Sequence, residues 1–185
     1  MTIANTGDTL PLRGERVLVR EFVAQDLVPF ADYRAIAAVA QFQSWTDYSL
    51  TDAQRLFDNM QVARFGTQGH WFQLAICSQE TDALLGDLAV HFIDAQQVEV
   101  GFTLAPQYQG QGFASEALAL LLEYLFVIEK RHRVIAVTDS FNHSAYRMLE
   151  KLGFRREAYF EENIFFKGKW GSEFQYAMLS REWSK

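Results

Sequence analysis

Apolar and polar positions alternate around β-branched residues from Arg16 to Glu21, the pattern of a half-buried strand. Gln25 to about Tyr33 is spaced as a helix, whereas Phe42 to Leu50, which holds Trp45 and Tyr48, follows neither period and reads as a loop. Thr51-Asp-Ala-Gln54 has the form of a capping box, in which a hydroxyl and an amide side chain satisfy the free backbone donors of a helix start. Leu56, Met60 and Ala63 continue that helix. Trp71 to Cys77 and Ala83 to Phe92 read as strands joined by the polar loop Ser78 to Asp82. The next strand, Val98 to Leu104, turns Val98, Val100, Phe102 and Leu104 to one face and Glu99, Gly101 and Thr103 to the other, and Pro106 ends it.

From Gly112 the period changes. Ala114, Leu118, Leu121, Leu122 and Leu125 fall at helical spacing and form a stripe that must pack on the sheet. Val134 to Thr138 is a short strand, and Ala145, Met148, Leu149 and Leu152 mark a further helix that stops at Gly153. Two closing strands, about Ala158 to Phe166 and Phe174 to Leu179, flank a loop from Lys167 to Gly171. No repeat, linker or low-complexity tract interrupts the chain, so residues 1–185 are expected to form one domain. The order of elements predicts an α/β protein with antiparallel hairpins first and a crossover helix later. If the strands at Val98 and Val134 lie side by side, that crossover makes them parallel.

Between the Val98 strand and the helix after Gly112 lies Ala105-Pro-Gln-Tyr-Gln-Gly-Gln-Gly112. A helix N-terminus presents unpaired N–H groups and the positive end of its dipole, so an anion can dock there without a basic side chain. Gly110 and Gly112 carry no β-carbon to hold a diphosphate away from those groups. A dinucleotide fingerprint needs a third glycine where Ser115 stands, and a P-loop needs Gly-Lys-Ser/Thr where this chain has Gly-Phe-Ala. On these residues alone, a phosphate cradle and a plain tight turn both fit.

Composition narrows the partners. A chain of 185 residues, 49% of them hydrophobic, is long enough for one sizeable core. Its formal net charge of −6 offers no positive field for a phosphate backbone, so nucleic acid is not expected, and a cationic substrate such as a protonated amine is favoured. The lone Cys77 makes no intramolecular disulfide and the Met1 end lacks the apolar run of a signal peptide, both in keeping with a cytoplasmic protein. The apolar stretch from Ala117 to Ile128 falls well short of the roughly 20 residues that span a bilayer, so no membrane association is expected. Neither the histidines at 70, 91, 132 and 143 nor Cys77 show a metal-ligand spacing, and no metal is expected. Monomer and homodimer both fit.

Four stretches taken together carry a resemblance: Glu99-Val-Gly-Phe102, Gly110-Gln-Gly-Phe-Ala-Ser-Glu-Ala117, Asp139-Ser-Phe-Asn142 and Leu149-Glu-Lys-Leu-Gly-Phe154. Their order resembles the GCN5-related N-acetyltransferase (GNAT) family, closest to the RimJ/RimL-type ribosomal-protein N-terminal acetyltransferases. Gln107, Gly110 and Gly112 meet the family's Gln/Arg-x-x-Gly-x-Gly/Ala pattern, and Arg16 to Arg20 and Tyr176 to Trp183 fit the same group. The resemblance implies an α/β fold with a mixed, mostly antiparallel sheet, splayed at the acetyl-CoA strand, about four helices, and the core motifs within 98–154. It implies acetyl-CoA as co-substrate. Backbone groups of Phe102, Thr103 and Leu104 would meet the pantetheine arm. Gln107, Gln109, Gly110, Gln111, Gly112, Phe113, Ala114 and Ser115 would hold the diphosphate, and Asn142 would bond near the thioester. The acceptor would be a primary amine, either on a protein or peptide N-terminus such as that of a ribosomal protein, or on a small molecule.

Acetyl transfer needs a deprotonated amine, a donor for the negative charge that develops on the acyl oxygen, and an acid for the departing thiolate. A splayed-strand N–H near Phe102 or Thr103 fits the second role. Glu99 is the candidate base, against the plainer reading of a solvated carboxylate on a sheet face. The chain departs from its relatives at the acid: Leu149 stands where many members have Tyr, and Ala145 where the RimJ/RimL group often has Ser. Ser144 and Tyr146 are the neighbouring hydroxyls that can substitute, although Ser144 also suits a helix start. These departures keep a second hypothesis open, a catalytically silent acetyl-CoA-binding module acting as sensor or assembly surface. Asn142 equally suits an N-cap, and Lys130 to Arg133 either reaches the coenzyme's 3′-phosphate or answers a helix dipole. Phe42, Trp45 and Tyr48 either line an acceptor pocket or sit as satellites of the core.

Overall fold

The computed structural model describes residues 10–184; the Met1 end, read above as carrying no signal peptide, lies outside them. The elements are β1 Leu12–Arg13, β2 Val17–Glu21, α1 Leu27–Arg34, α2 Ala37–Ala40, α3 Leu50–Met60, β3 Trp71–Ser78, β4 Leu84–Phe92 and β5 Gln97–Leu104. Then follow α4 Phe113–Glu123, β6 Arg133–Asp139, α5 His143–Lys151, β7 Arg155–Phe166 and β8 Lys169–Leu179. Among the described residues the strands make one eight-stranded sheet in the order β1-β2-β3-β4-β5-β6-β8-β7. Every neighbouring pair is antiparallel except β5–β6, which is parallel, as the α4 crossover requires.

The helices cover both faces. On one, Ala114, Ala117, Leu118, Leu121 and Leu122 of α4 are buried against Leu74, Leu88, Val90 and Val100 of the sheet. Each leucine so buried contributes about 1.5–3 kcal/mol relative to exposure, so this stripe is what fixes α4 on the sheet. Past Glu123 the helix widens into a π-helical turn, Tyr124–Ile128. On the other face, Leu27, Phe30, Ala31 and Tyr33 of α1 and Ala53 of α3 form a second cluster with Ala75 and Cys77 of β3. Among the described residues no helix is long and apolar enough to cross a membrane.

Three local expectations are corrected. The capping box lies two residues earlier than Thr51 to Gln54. Ser49 Oγ accepts from the Asp52 amide at 3.2 Å, and Asp52 Oδ2 accepts from the Ser49 amide at 3.0 Å. Asp at the third helical position does the work assigned to Gln54, whose side chain instead bonds Asp58 at 2.8 Å. The short α2 and β1 carry too few residues to show a period, and both were missed. Finally, the loop expected from Lys167 to Gly171 is a two-residue turn, Lys167–Gly168, because β8 already begins at Lys169.

Candidate active site

β5 and β6 are neighbours at only three positions, Gln97–Arg133, Val98–Val134 and Glu99–Ile135. Beyond them each strand keeps its outer partner, β5 on β4 through Leu104 and β6 on β8 through Asp139, so the sheet opens between them. Within β5 the backbone groups alternate between neighbours. Ala105 N donates to Leu85 O and Ile93 N to Gln97 O, so the odd-numbered residues turn to β4. Phe102 therefore turns its N–H and C=O to the opening, and Thr103 does not, which corrects the alternative left open above.

The opening holds a cleft of about 310 Å³. Its walls are Val100, Gly101 and Phe102 on β5, Ala136 to Asp139 on β6, Asn142, Ala145 and Leu149 at α5, and Phe42 to Ser44 from the loop before α3. Ile164, Phe166 and Glu173 of the last hairpin close one side. Asn142 is the N-cap of α5, Oδ1 accepting from Ala145 N at 3.3 Å, and the residue also lines the cleft.

Past the C-terminal end of β5 lies the turn expected to cradle a diphosphate. Gly110 and Gly112 sit at φ +73° and +87°, a region that L side chains adopt only with strain, and a β-carbon on Gly110 would project into open space where an anion can approach. Gly112 is the N-cap of α4 and has no side-chain cap bond. Among the described residues no acceptor meets the N–H groups from Gly110 to Ser115, which leaves a row of donors for a diphosphate. The glutamines serve the turn itself. Gln109 Nε2 donates to Leu104 O at 3.0 Å and Gln111 Nε2 to Gln107 O at 2.7 Å.

A residue that sequence reading passed over ties this turn to the far end of the chain. Glu116 Oε1 accepts from Arg16 N at 2.8 Å and Val17 N at 3.3 Å, and Glu116 Oε2 from Arg16 Nε at 2.9 Å. Arg16 Nη1 then donates to Gln111 O at 2.9 Å, and the guanidinium lies 4.8 Å over the Phe113 ring. Burial alone would raise the Glu116 carboxyl's pKa; the bonds and charge of Arg16, with the Val17 amide, outweigh it and hold the group below the usual carboxylate range.

Glu99 lies on the face opposite α4, one ladder step from the cleft. The next pair on that face of the β4–β5 ladder toward the opening is Ala89–Gly101, a methyl and a hydrogen. Burial raises the Glu99 pKa, His91 opposes the shift, and Glu173 adds to it. Behind this floor Asp87 receives Arg34 Nη2 at 2.9 Å, together with Tyr33 Oη and Gln73 Nε2. The Arg34 guanidinium is 4.0 Å from the Trp45 ring and 5.1 Å from that of Tyr48. Trp45 and Tyr48 thus hold a buried cation, and of the three aromatics only Phe42 lines the cleft.

The structure does not bring the expected hydroxyls to the cleft. With Asn142 as N-cap, residues 142, 145 and 149 share the cleft side of α5, which leaves Ser144 exposed and Tyr146 edge-on against Phe174 at 5.6 Å. Of the 130–133 run, read as reaching the coenzyme's 3′-phosphate or answering a helix dipole, the arginines bond elsewhere. Arg131 bonds Ala95 O at 3.0 Å and Arg133 pairs with Glu157, both beyond the opposite end of α4. Among the described residues no three His, Cys, Asp or Glu side chains are grouped to hold a metal ion.

A parallel pair split by a cleft, followed by a glycine-bearing turn into the crossover helix, is an arrangement that suits an acyltransferase. The chain is a member of the GNAT family: residues 16–155 match the acetyltransferase (GNAT) domain model. It is 29% identical over 171 residues to YnaD of Bacillus subtilis, described as an uncharacterized N-acetyltransferase, covering 92% of this chain and 97% of that one. It is 26% identical over 85 residues to the ribosomal protein uS5 alanine N-acetyltransferase of Escherichia coli, covering 46% and 44%. A GNAT-family acetyltransferase from Bacillus anthracis, solved by crystallography, superposes with a TM-score of 0.84 at 28% identity, over 94% of this chain and 100% of that one.

Proposed function

We propose that this acetyltransferase moves an acetyl group from acetyl-CoA to a primary amine by direct attack of the amine on the thioester. The observation that carries the reading is the three-rung β5–β6 contact, beyond which the sheet opens on a cleft walled by Gly101, Phe102 and Asn142. Acetyl-CoA supplies the activated acyl group when bound. The amides from Gly110 to Ser115 hold its diphosphate, and the Phe102 backbone fixes the arm along the opening. The outward N–H of Phe102 meets the charge that gathers on the acyl oxygen. Asn142 positions the thioester end. Glu99 takes a proton from the acceptor ammonium, and the proton the attacking amine then sheds goes to the leaving sulfur, so none is created or lost.

The acceptor in this reading is a polypeptide N-terminus. Past Phe42 and Phe166 the cleft adjoins a second hollow of about 810 Å³, walled by Ala35, Ala37, Ala38 and Ala40 and rimmed by Lys167 and Lys169, with room for chain beyond the amine. That reading agrees with the uS5 enzyme of E. coli, whose acceptor is a ribosomal-protein alanine. Calorimetry with acetyl-CoA, followed by thiol release across short peptides and small amines, tests both steps. Absence of acetyl-CoA binding would falsify the transferase reading, and turnover of small amines alone would remove the peptide acceptor.

One observation favours a second reading, the silent acetyl-CoA-binding module. The α5 wall presents Ala145 and Leu149 to the cleft and no hydroxyl for the thiolate. Tight acetyl-CoA binding with no turnover on any amine is the outcome it predicts.

A further inference from the structure

Trp71, His91 and Glu99 form one row across three strands, since Trp71 is opposite His91 in the β3–β4 ladder and His91 is opposite Glu99 in β4–β5. The Trp71 and His91 rings stack at 4.6 Å with 12° between their planes, which fixes the imidazole. His91 Nδ1 is buried and has no hydrogen-bond partner, yet it points along the row at Glu99 Oε2, 3.8 Å away. A buried nitrogen without a partner is costly and rare, so one aimed at a carboxylate calls for an explanation. A movement of about 1 Å closes the gap to hydrogen-bond length. The His91 side chain keeps 23% of its surface exposed, so the far side of the ring reaches solvent.

We propose that His91 is a positioning residue that relays the proton Glu99 collects from the acceptor. The ammonium N–H bond breaks and an O–H bond forms on Glu99. That O–H then breaks as an N–H forms at His91 Nδ1, and the Nε2 proton leaves to water. Glu99 is again a carboxylate, the amine is neutral, water carries the proton, and His91, left with its proton on Nδ1, returns to the Nε2–H tautomer by exchange with water once the product has left. Without a relay, a half-buried acid on the floor of an occupied site would be slow to reset. The other charged groups on this face are otherwise engaged: Arg133 with Glu157, and Asp87 with Arg34, while Glu173 on β8 acts on Glu99 by its charge. The inference rests on the amine-acetylating reading above and assigns that site a residue the reading does not use.

The test has two arms on the full chain. In the first, NMR compares the His91 ring-nitrogen signals of the wild type and of Glu99→Gln at one pH. The expected result is a larger change at Nδ1 than at Nε2 in the variant, because Nδ1 is the nitrogen that faces the carboxylate at 3.8 Å. Identical Nδ1 signals overturn the pairing, and this arm needs neither turnover nor any change at His91. In the second, thiol release is measured from acetyl-CoA with the best amine of the panel. His91→Gln is expected to lower kcat roughly tenfold or more, to alter the acid limb of the pH profile and to leave the KM for acetyl-CoA in place. Added imidazole is expected to restore turnover to His91→Gly. A wild-type pH profile and kcat in His91→Gln sink the relay while the transferase reading stands; a wild type that acetylates no amine sinks both.

Discussion

Arg34 Nη2 lies 2.9 Å from Asp87 Oδ2, with the two side chains only 6% and 1% exposed. Burial works against the guanidinium's charge, and Asp87, with Tyr33 and Tyr48 after it, outweighs burial and raises its pKa. Removing one partner of such a pair leaves an uncompensated buried charge. Asp87→Ala is therefore expected to destabilise the fold by about 3–5 kcal/mol, and Asp87→Leu with Arg34→Met to recover most of that loss. Urea unfolding of the three proteins decides it, and equal losses in single and double variants would count against the ion pair as the cause.

Glu99→Gln keeps the shape of the side chain and removes the proton acceptor. The expected loss in kcat is about 100-fold or more, with acetyl-CoA affinity by calorimetry unchanged. The sign of the pH effect follows from burial, which raises the Glu99 pKa. A base acts when ionised, so turnover is expected to fall with decreasing pH at a value above the ordinary glutamate figure of about 4.3. The same shift acts oppositely on stability. Its favourable contribution is present below the unfolded-state pKa and is lost as pH rises through the folded one.

Glu116→Ala strips the acceptor from two backbone amides and one guanidinium nitrogen. A loss of about 1–3 kcal/mol is expected from the donors left without a partner, together with a raised KM for acetyl-CoA as the turn loosens. Because the folded pKa of Glu116 is depressed, its contribution is present above the unfolded value and disappears as pH falls through the folded one. An unchanged KM would separate this anchor from the cradle.

Gly110→Ala places a methyl at φ +73° with no atom within 4 Å of it. Backbone strain of about 1–2 kcal/mol is expected from the left-handed conformation, and weaker acetyl-CoA binding from the methyl in the anion's path. Thermal melting and calorimetry read the two effects separately. Undiminished binding would show that the diphosphate lies elsewhere.

Most strands, α4 and α5 were legible because their apolar positions repeat at the spacing of 2 or 3.6 that burial on one face demands. The turn from Gly110 into α4 was legible because its glycines and the helix start adjoin in sequence. What escaped depends on register. Nothing near Glu116 announces that its acceptors serve Arg16, 100 residues away, and His91 meets Glu99 only because the β4–β5 ladder sets them opposite. The two hydroxyls considered for the acid on α5 miss the cleft for a related reason. Taking Asn142 as the cap fixes the phase of the helix, and one residue of phase turns Ser144 and Tyr146 away while presenting Ala145 and Leu149.

The parting of β5 and β6 also makes the molecule two leaves joined at a short spine. A ligand lying in the gap acts as a splint, bridging backbone that the chain leaves unbridged, and whatever binds only the folded form raises its resistance to heat. A protein so built is expected to melt at a higher temperature as acetyl-CoA is added.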